Sequence, residues 1–207
     1  MKKKLLAVVL AMAFAASLAA CGGSDSPSAS AASSSASAAQ EIKIEGLKEA
    51  FAEQPILLTS VGQSADVEMV KVMIEKSELT YTMSTLATPD DLGENKTLLL
   101  AIGGSSKGLG AAGIDANQEI ERVKSLITAA DEKGMSIIAV HIGGEARRGD
   151  LSDKFIAPSF EKADYAVVVK DGDKDQMMSK LASDAGIPME IVASMGEVVT
   201  PLKAAFK

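Results

Sequence analysis

The sequence predicts a three-layer α/β domain with a doubly wound, mostly parallel sheet of about five to six strands. Three observations lead to this fold class. Short apolar runs of strand length alternate with amphipathic stretches of helical period from residue 55 onward. The run at residues 135–142 is largely apolar without alternation, which is typical of a central parallel strand buried on both faces. Glycine, proline and helix-capping residues separate the runs, as right-handed strand–helix–strand units require.

Local residue types predict each element. Strands are predicted where apolar, β-branched or aromatic residues cluster, at residues 55–61, 79–86, 97–102, 135–142, 165–169 and 189–193. Helices are predicted between them from capping residues and helical spacing. They begin after Ser64, at Asp115 with Gln118, near Phe155, after Asp173 with Gln176, and at Thr200–Pro201.

The predicted strand order is 2-1-3-4-5, and the architecture resembles flavodoxin-like and related Rossmann-like folds. In such sheets, ligands bind beyond the carboxyl ends of the strands, where the strand order reverses. That point lies between the first and third strands here. Residues 62–66 follow the first strand and a glycine-rich stretch follows the third, so we expect these two loops to face each other across a crevice.

The N-terminal residues predict export and a lipid anchor. Residues 2–4 are lysines, and residues 5–16 are apolar but too few to span a bilayer as a permanent helix. Leu18-Ala19-Ala20-Cys21 resembles the lipobox of bacterial lipoproteins. The resemblance implies a signal peptide at residues 1–20, cleavage before Cys21 and lipid on the Cys21 sulfur. It also implies a position at the extracytoplasmic face of a bacterial membrane.

A change of composition after Cys21 separates the anchor from the folded part. Residues 22–40 are nearly all serine, alanine and glycine, which cannot bury enough apolar surface to fold. We therefore expect residues 21–40 to form a flexible tether with a span of roughly 25 Å. Residues 41–207 have the length of one α/β domain.

The charge balance argues against nucleic acid as a partner. The chain has 21 Lys and Arg against 28 Asp and Glu, and loss of the signal-peptide lysines makes the remainder more acidic. Nucleic-acid binding needs clustered cations that neutralise phosphates. The expected partners are instead the membrane, through the lipid anchor, and either a small anionic solute or an envelope or transporter protein.

The stretch AIGGSSKGLGAAGID, residues 101–115, contains a literal G-x-G-x-x-G pattern that begins at Gly108. A dinucleotide fingerprint places its first glycine at the end of the strand, whereas Gly108 comes about five residues later. Leu109 stands where a P-loop needs lysine. The stretch therefore predicts a looser ligand loop, in which backbone N–H groups and side chains of residues 103–107 face an anion.

Three loops together supply the predicted anion site. Its members are Gly62, Gln63, Ser64, Gly103, Gly104, Ser105, Ser106, Lys107, His141, Gly143, Gly144, Arg147 and Arg148. Adjacent Arg147 and Arg148 in a glycine-flanked loop could clamp a carboxylate or phosphate bidentately. Alternatively, the two arginines pair with Glu145, Asp150 and Asp153 as solvated surface charge.

No catalytic residue, metal site or cofactor is predicted. His141 is the only histidine, and a G-x-S-x-G pattern is absent, so nothing in the sequence fixes a nucleophile. The acids of residues 171–175 alternate as in a calcium loop, but Gln176 and Ala182 replace the required glycine and glutamate. Helix capping is the simpler interpretation of these acids.

The lipobox, the run PILLTSVGQSADV at residues 55–67 and the glycine-rich stretch resemble an uncharacterised family of small bacterial lipoproteins with an α/β domain. The resemblance implies a fold and a location but supplies no activity. Two functions remain open. One is a membrane-tethered receptor for a small anionic solute, which could serve transport or sensing. The other is an interaction module for an envelope protein that binds no small molecule.

Overall fold

A six-stranded, all-parallel sheet forms the centre of the structure, a computed structural model that describes residues 42–207. The strands are β1 Ile56–Val61, β2 Tyr81–Met83, β3 Thr97–Ile102, β4 Ser136–His141, β5 Tyr165–Val169 and β6 Met189–Val192. The helices are α1 Asp66–Lys76, α2 Ser106–Ala112, α3 Ala116–Glu132, α4 Asp153–Phe160, α5 Met177–Ala185 and α6 Val199–Ala204. None of the helices in residues 42–207 combines the length and the apolar character needed to cross a membrane. The signal peptide, Cys21 and the tether predicted above lie outside the described residues.

The strands lie in the order β2-β1-β3-β4-β5-β6, which confirms the predicted order and places the sixth strand beside the fifth. β3 pairs with β1 along its whole length, from Thr97 opposite Ile56 to Ile102 opposite Val61. Every residue of β1, β3 and β5 is buried. Burial on both faces explains why these strands are largely continuous apolar runs rather than alternating ones.

Helices cover both faces of the sheet and form the predicted three layers. On one face, α3, α4 and α5 pack against strand side chains that include Leu98, Leu100 and Ile137. On the other face, α1 and α6 pack against side chains that include Leu58 and Leu99. Each face thus carries one apolar cluster, and burial of the two clusters supplies the main favourable free energy of folding.

The chain reaches β1 along the outer edge of β6. Residues 42–54 precede β1, and the Met189 N–H at the start of β6 donates to the carbonyl of Glu45 at 2.8 Å. Further on, the Ala52 N–H donates to the carbonyl of Ala205 at 2.9 Å. The first of these contacts covers the start of β6, an edge strand whose backbone groups would otherwise be open to pairing with another chain.

Two elements differ from the sequence prediction. β2 spans three residues rather than residues 79–86, because it is an edge strand that pairs only with β1 and only over that length. The glycine-rich stretch is not a loop throughout, since α2 forms within it. Ser105 Oγ caps α2 by accepting the Gly108 N–H at 3.0 Å. Gly113 ends the helix at φ 72°, a left-handed conformation that favours glycine.

The predicted capping residues act at α3, whereas at α5 only Asp173 of the predicted pair caps the helix and the Gln176 side chain makes no capping hydrogen bond. Asp115 accepts the Gln118 N–H at 2.9 Å while the Gln118 side chain accepts the Asp115 N–H at 2.9 Å, which is a capping box. Asp173 accepts the Met178 N–H at 2.7 Å at the start of α5. Because these acids satisfy helix N–H groups, their positions are explained by local structure.

We expect Leu99→Ala to lower the free energy of unfolding by about 2–5 kcal/mol, because it would leave a cavity at the centre of the sheet. Leu99 is fully buried in β3. Met69→Ala is a suitable control, because Met69 in α1 is 44% exposed. That control should change the free energy by less than about 0.5 kcal/mol. Denaturant unfolding followed by circular dichroism measures the free energy of unfolding of both variants. If the two variants lost the same stability, the buried placement of β3 would be contradicted.

Candidate functional site

The loops after β1 and β3 meet at the carboxyl end of the sheet. The Gly103 N–H donates to the carbonyl of Val61, the last residue of β1, at 2.9 Å. The Ser105 N–H donates to the Gly62 carbonyl at 2.8 Å. Gln63 also forms an isolated antiparallel bridge with Gly104. The two loops therefore lie together at the reversal of strand order, as the topology predicted.

The crevice at this point is filled by side chains of the protein itself. A Cβ at Gly103 would lie 2.7 Å from Ser64 Oγ and 2.9 Å from Asp66 Oδ2. A Cβ at Gly143 would overlap the Cγ of Arg147. The two positions are glycine because these side chains press directly on the backbone, rather than because the backbone lines an open ligand site.

Arg147 closes the crevice by an ion pair with Asp66. The Nε of Arg147 donates to both Asp66 oxygens, at 3.1 and 3.0 Å. The Arg147 side chain is 30% exposed and the Asp66 side chain is 11% exposed. The Asp66 N–H in turn donates to Ser64 Oγ at 3.3 Å. The positive charge of Arg147 is thus balanced within the crevice.

Arg148 points away from the crevice and connects two other segments of the chain. Its Nε and Nη2 donate to Asp153 at 2.7 and 3.2 Å, and its two Nη atoms donate to Asp175 at 2.8 and 2.7 Å. Its Nη1 also donates to the carbonyl of Gly172 at 2.5 Å. Hydrogen bonds from Arg148 lower the pKa of Asp175 to about 2. Arg148 therefore holds the loop after β4 against α4 and the segment before α5.

The cations of the predicted anion site thus do not converge on one point. Arg147 and Arg148 bind different carboxylates, and Lys107 is exposed in the first turn of α2. The pairing of Arg148 with Asp153 agrees with the alternative in which the arginines bind acids of the protein. Glu145, another predicted partner, instead pairs with Lys174 at 2.6 Å. No bidentate clamp is formed by the two arginines in residues 42–207.

Ser105 and Gly104 of the predicted site make contacts within the fold. Ser105 caps α2, whereas Ser106 is exposed. A Cβ at Gly108 would overlap the carbonyl oxygen of Gln63, so α2 packs directly on the loop after β1. The Gly104 N–H donates to Ser152 Oγ at 3.1 Å, which joins the loop after β3 to the start of α4.

A buried ion pair that the sequence analysis missed fixes the loop after β1. Glu119 in α3 is fully buried and accepts the Gly62 N–H at 2.9 Å and the Gln63 Nε2 at 3.0 Å. Arg122 donates to Glu119 at 2.8 Å and to the carbonyls of Ala87 and Ser60 at 2.7 and 2.6 Å. This network holds Gln63 at φ 57°, a left-handed conformation uncommon for residues other than glycine. The only signal of this pair in the sequence was that Glu119 and Arg122 are three residues apart in α3. Such a spacing is more typical of an exposed ion pair on a helix surface.

His141 is buried at the end of β4 and bonded to the backbone. Its Nε2 lies 3.0 Å from the carbonyl of Arg147, and burial lowers the pKa of the imidazole. The ring is therefore neutral near pH 7, and Nε2 carries the hydrogen that the carbonyl accepts. Its Nδ1 is buried and has no hydrogen-bond partner among the described residues. The only histidine thus has a structural partner rather than a nucleophile beside it.

The acids of residues 171–175 are engaged by other protein groups. Asp173 binds N–H groups of α5, Asp175 binds Arg148, and Asp171 lies 3.9 Å from the Lys174 ammonium. Within the part of the chain that the structure describes, no group of three or more His, Cys, Asp and Glu side chains could hold a metal ion. These contacts account for the acids without a calcium ion.

Comparison with known proteins places the domain in a sequence family. A family model with the description "Domain of unknown function (DUF6305)" matches residues 53–206, from just before β1 to the residue before the last. A search of curated proteins finds no match to the chain. The matched range contains every strand, helix and loop of the site described above.

We expect Glu119→Gln to lower the free energy of unfolding by about 3–5 kcal/mol, because it would leave the Arg122 charge without its buried partner. Glu121→Gln is the matched control, since Glu121 is exposed on the same helix. Denaturant unfolding of the two variants at neutral pH makes the comparison. A loss for Glu119→Gln no larger than that of the control would show that the buried pair does not hold the loop after β1.

Proposed function

We propose that this chain, which belongs to the DUF6305 family, is a lipid-anchored interaction module at the extracytoplasmic face of a bacterial membrane. In this function, loops at the carboxyl end of the sheet bind another envelope protein, and no small molecule is required. One observation favours this function over the solute receptor that the sequence also left open. The Arg147 side chain, paired with Asp66, fills the crevice in which doubly wound folds bind their ligands.

The filled crevice counts against a receptor for a small anion. A carboxylate or phosphate would need free donors, but Arg147 binds Asp66 and Arg148 binds two other acids. An anion at this point would also lie beside the Asp66 carboxylate, and like charges repel strongly at short range. A small anion would therefore have to displace the pair before it could bind.

The same geometry favours a macromolecular partner. With Arg147 and Asp66 filling the crevice, the ends of β1 and β3 present a surface rather than an open pocket. It presents exposed side chains on the first turn of α2 and on the loop after β4, which are Ser106, Lys107, Glu145, Ala146 and Asp150. Loops held on a rigid sheet are common binding elements, and mixed charge with small side chains suits the polar part of a protein interface.

The membrane location in this proposal comes from the lipobox-like residues 18–21. Lipid chains on Cys21 would contribute about 0.8 kcal/mol per buried methylene, and two or more chains give stable anchoring. A tether at residues 22–40 with a span of roughly 25 Å would let the domain reach a neighbouring protein. The non-catalytic role is supported by the buried position of His141 and by the use of Ser105 and Ser152 in capping and loop contacts.

We expect the chain to incorporate a fatty-acid label through Cys21. Cells that express the full chain and are fed an alkyne fatty acid should yield labelled protein in the membrane fraction. Cys21→Ser should remove the label and the membrane association, because no other cysteine is present. A Cys21→Ser chain that keeps its label would contradict the anchor.

We expect a photo-crosslinking residue at Lys107 or at Ala146 of the full chain to capture the same envelope protein in living cells. Both positions are exposed at the carboxyl end of the sheet. Lys133, exposed just after α3 and before β4, lies at the opposite end of the sheet and is the control position. Adducts at all three positions, or at none, would contradict the proposed surface.

A thermal-shift panel of phosphates and carboxylates on the full chain in detergent decides between the two functions. A ligand at a hundredfold excess over its Kd would add about 2.7 kcal/mol of stability. A shift for one anion that disappears in Arg147→Ala would favour the solute receptor and overturn the interaction module. A flat panel is the result expected from the present proposal.

A further inference from the structure

We propose that the outer edge of β6 is a binding site for an extended segment of a protein partner, and that residues 42–45, the edge segment, cover this site and can be displaced from it. The site lies along the side of the sheet, so the inference does not depend on the loops at the carboxyl end. It follows from the backbone groups that β6 leaves open, from the side chains of the edge segment and from the cavities around that segment.

β6 presents backbone groups on its outer edge. It is the last strand of the sheet and pairs in parallel with β5. The Ala166 N–H of β5 donates to the carbonyl of Pro188 at 3.0 Å. Because alternate residues of a parallel strand bond to the same neighbour, Glu190 also faces β5, whereas Met189 and Ile191 direct their backbone groups outward.

The edge segment pairs with only the start of this edge. It runs antiparallel to β6, since Glu45 lies beside Met189 whereas Ile42 borders a cavity with Ile191. Continued antiparallel pairing would place Lys43 opposite Ile191, and such opposed residues exchange two hydrogen bonds. In the described part of the chain, the bond from the Met189 N–H to the Glu45 carbonyl, at 2.8 Å, is the only one between the two backbones. The N–H and carbonyl of Ile191 therefore remain open to a strand that pairs over a greater length.

The side chains of the edge segment show what kind of segment fits this edge. Ile42 and Ile44 are half-buried, whereas Lys43 and Glu45 are exposed. Ile44 packs on the apolar cluster that α5 covers. Alternation of this kind is that of a strand with one covered face. A partner segment would therefore carry apolar side chains at every second position, with polar or charged side chains between them.

The edge segment fills the site incompletely. On the α5 side of β6, a cavity of about 610 Å³ is bordered by Ile42, Ile44 and Ile191. A second cavity, of about 340 Å³, is bordered by Ile44 and Ala182. Ile191 is 38% exposed, so apolar surface at this edge stays in contact with water. A larger apolar side chain in the position of Ile44 would bury more of this surface, which stabilises binding.

This incomplete fit favours a partner protein over a second copy of the chain. A second copy brings the same isoleucines and the same contacts, so exchange of edge segments gains no new interaction. The chain's own edge segment also has the advantage of its covalent connection, which gives an effective concentration of about 1 mM. A partner segment overcomes that advantage if it pairs with Ile191 and fills the space beside Ile44.

Peptide binding to the full chain in detergent tests the site. The probe is a labelled peptide EIKFEGLK, which is the sequence of residues 41–48 with Phe in place of Ile44. Ile44→Asp in the chain should release the edge segment and lower the Kd of the probe by about tenfold or more, because it removes the competing segment. Lys43→Asp changes the exposed side of the same segment, so this matched control should bind like the wild type. The peptide EIKIEGLK should bind Ile44→Asp more weakly than the probe does.

Two further changes test whether the probe pairs with β6. Ile191→Pro, added to Ile44→Asp, removes the outward N–H but no bond to β5, so it should raise the Kd by about tenfold or more. A probe methylated on the backbone nitrogen of its first lysine should lose binding to a similar extent. The methylated probe leaves the protein unchanged, so it decides the question even if Ile191→Pro does not fold.

Three results would overturn the proposal. The first is an equal Kd of the probe for the wild type and Ile44→Asp, or no binding to either. The second is binding that backbone methylation of the probe leaves unchanged. The third is a wild-type dimer, seen by light scattering, that Ile44→Asp dissociates, because it would assign the edge to exchange between two copies.

Discussion

Burial of both faces of the parallel sheet is the constraint on which the rest of this structure depends. Helices cover β1, β3 and β5 completely, so polar side chains reach solvent only near the ends of these strands. The chain has three arginines, Arg122, Arg147 and Arg148, and each binds at least one carboxylate of the protein. An acidic protein thus uses its arginines to hold its own loops together, which leaves little free positive charge at the crevice.

The sheet was predictable because burial of both strand faces leaves a clear local pattern. The predicted bounds of β3 and β5 agree with the structure, since each is a short apolar run between polar segments. β2 was less predictable because an edge strand ends where its partner stops pairing, and side-chain type does not specify that point. α2 was missed because glycines weaken the helical pattern, although Ser105 provides a cap and alanines follow.

The site could be located from the topology, but its internal pairing could not. Asp66 and Arg147 are 81 residues apart, and Arg148 and Asp175 are 27 residues apart. The local sequence around an arginine that binds a ligand does not differ from that around an arginine that pairs with a distant acid of the protein. The same limit applies to Glu119, whose spacing from Arg122 does not reveal that both lie beneath a loop. Residues 62–64, 103–105 and 143–147 were correctly predicted to be neighbours, whereas their openness to a ligand depends on side chains that the fold brings in from elsewhere.

The contact of the N-terminal segment with β6 has a mechanical consequence. Residues 42–51 precede the Ala52–Ala205 hydrogen bond and contact β6 through Glu45 to Met189 and Leu47 to Glu190. A force applied from the N-terminal side would act on these contacts one after another. The pairing of β1 with β3 comes after Ala52 in the chain, so it would bear the force only once these contacts had broken. The ten released residues could extend to at most about 33 Å, so the connection would lengthen by less than that. The segment would therefore act as an extensible strap, which lets the domain yield to force without unfolding its sheet.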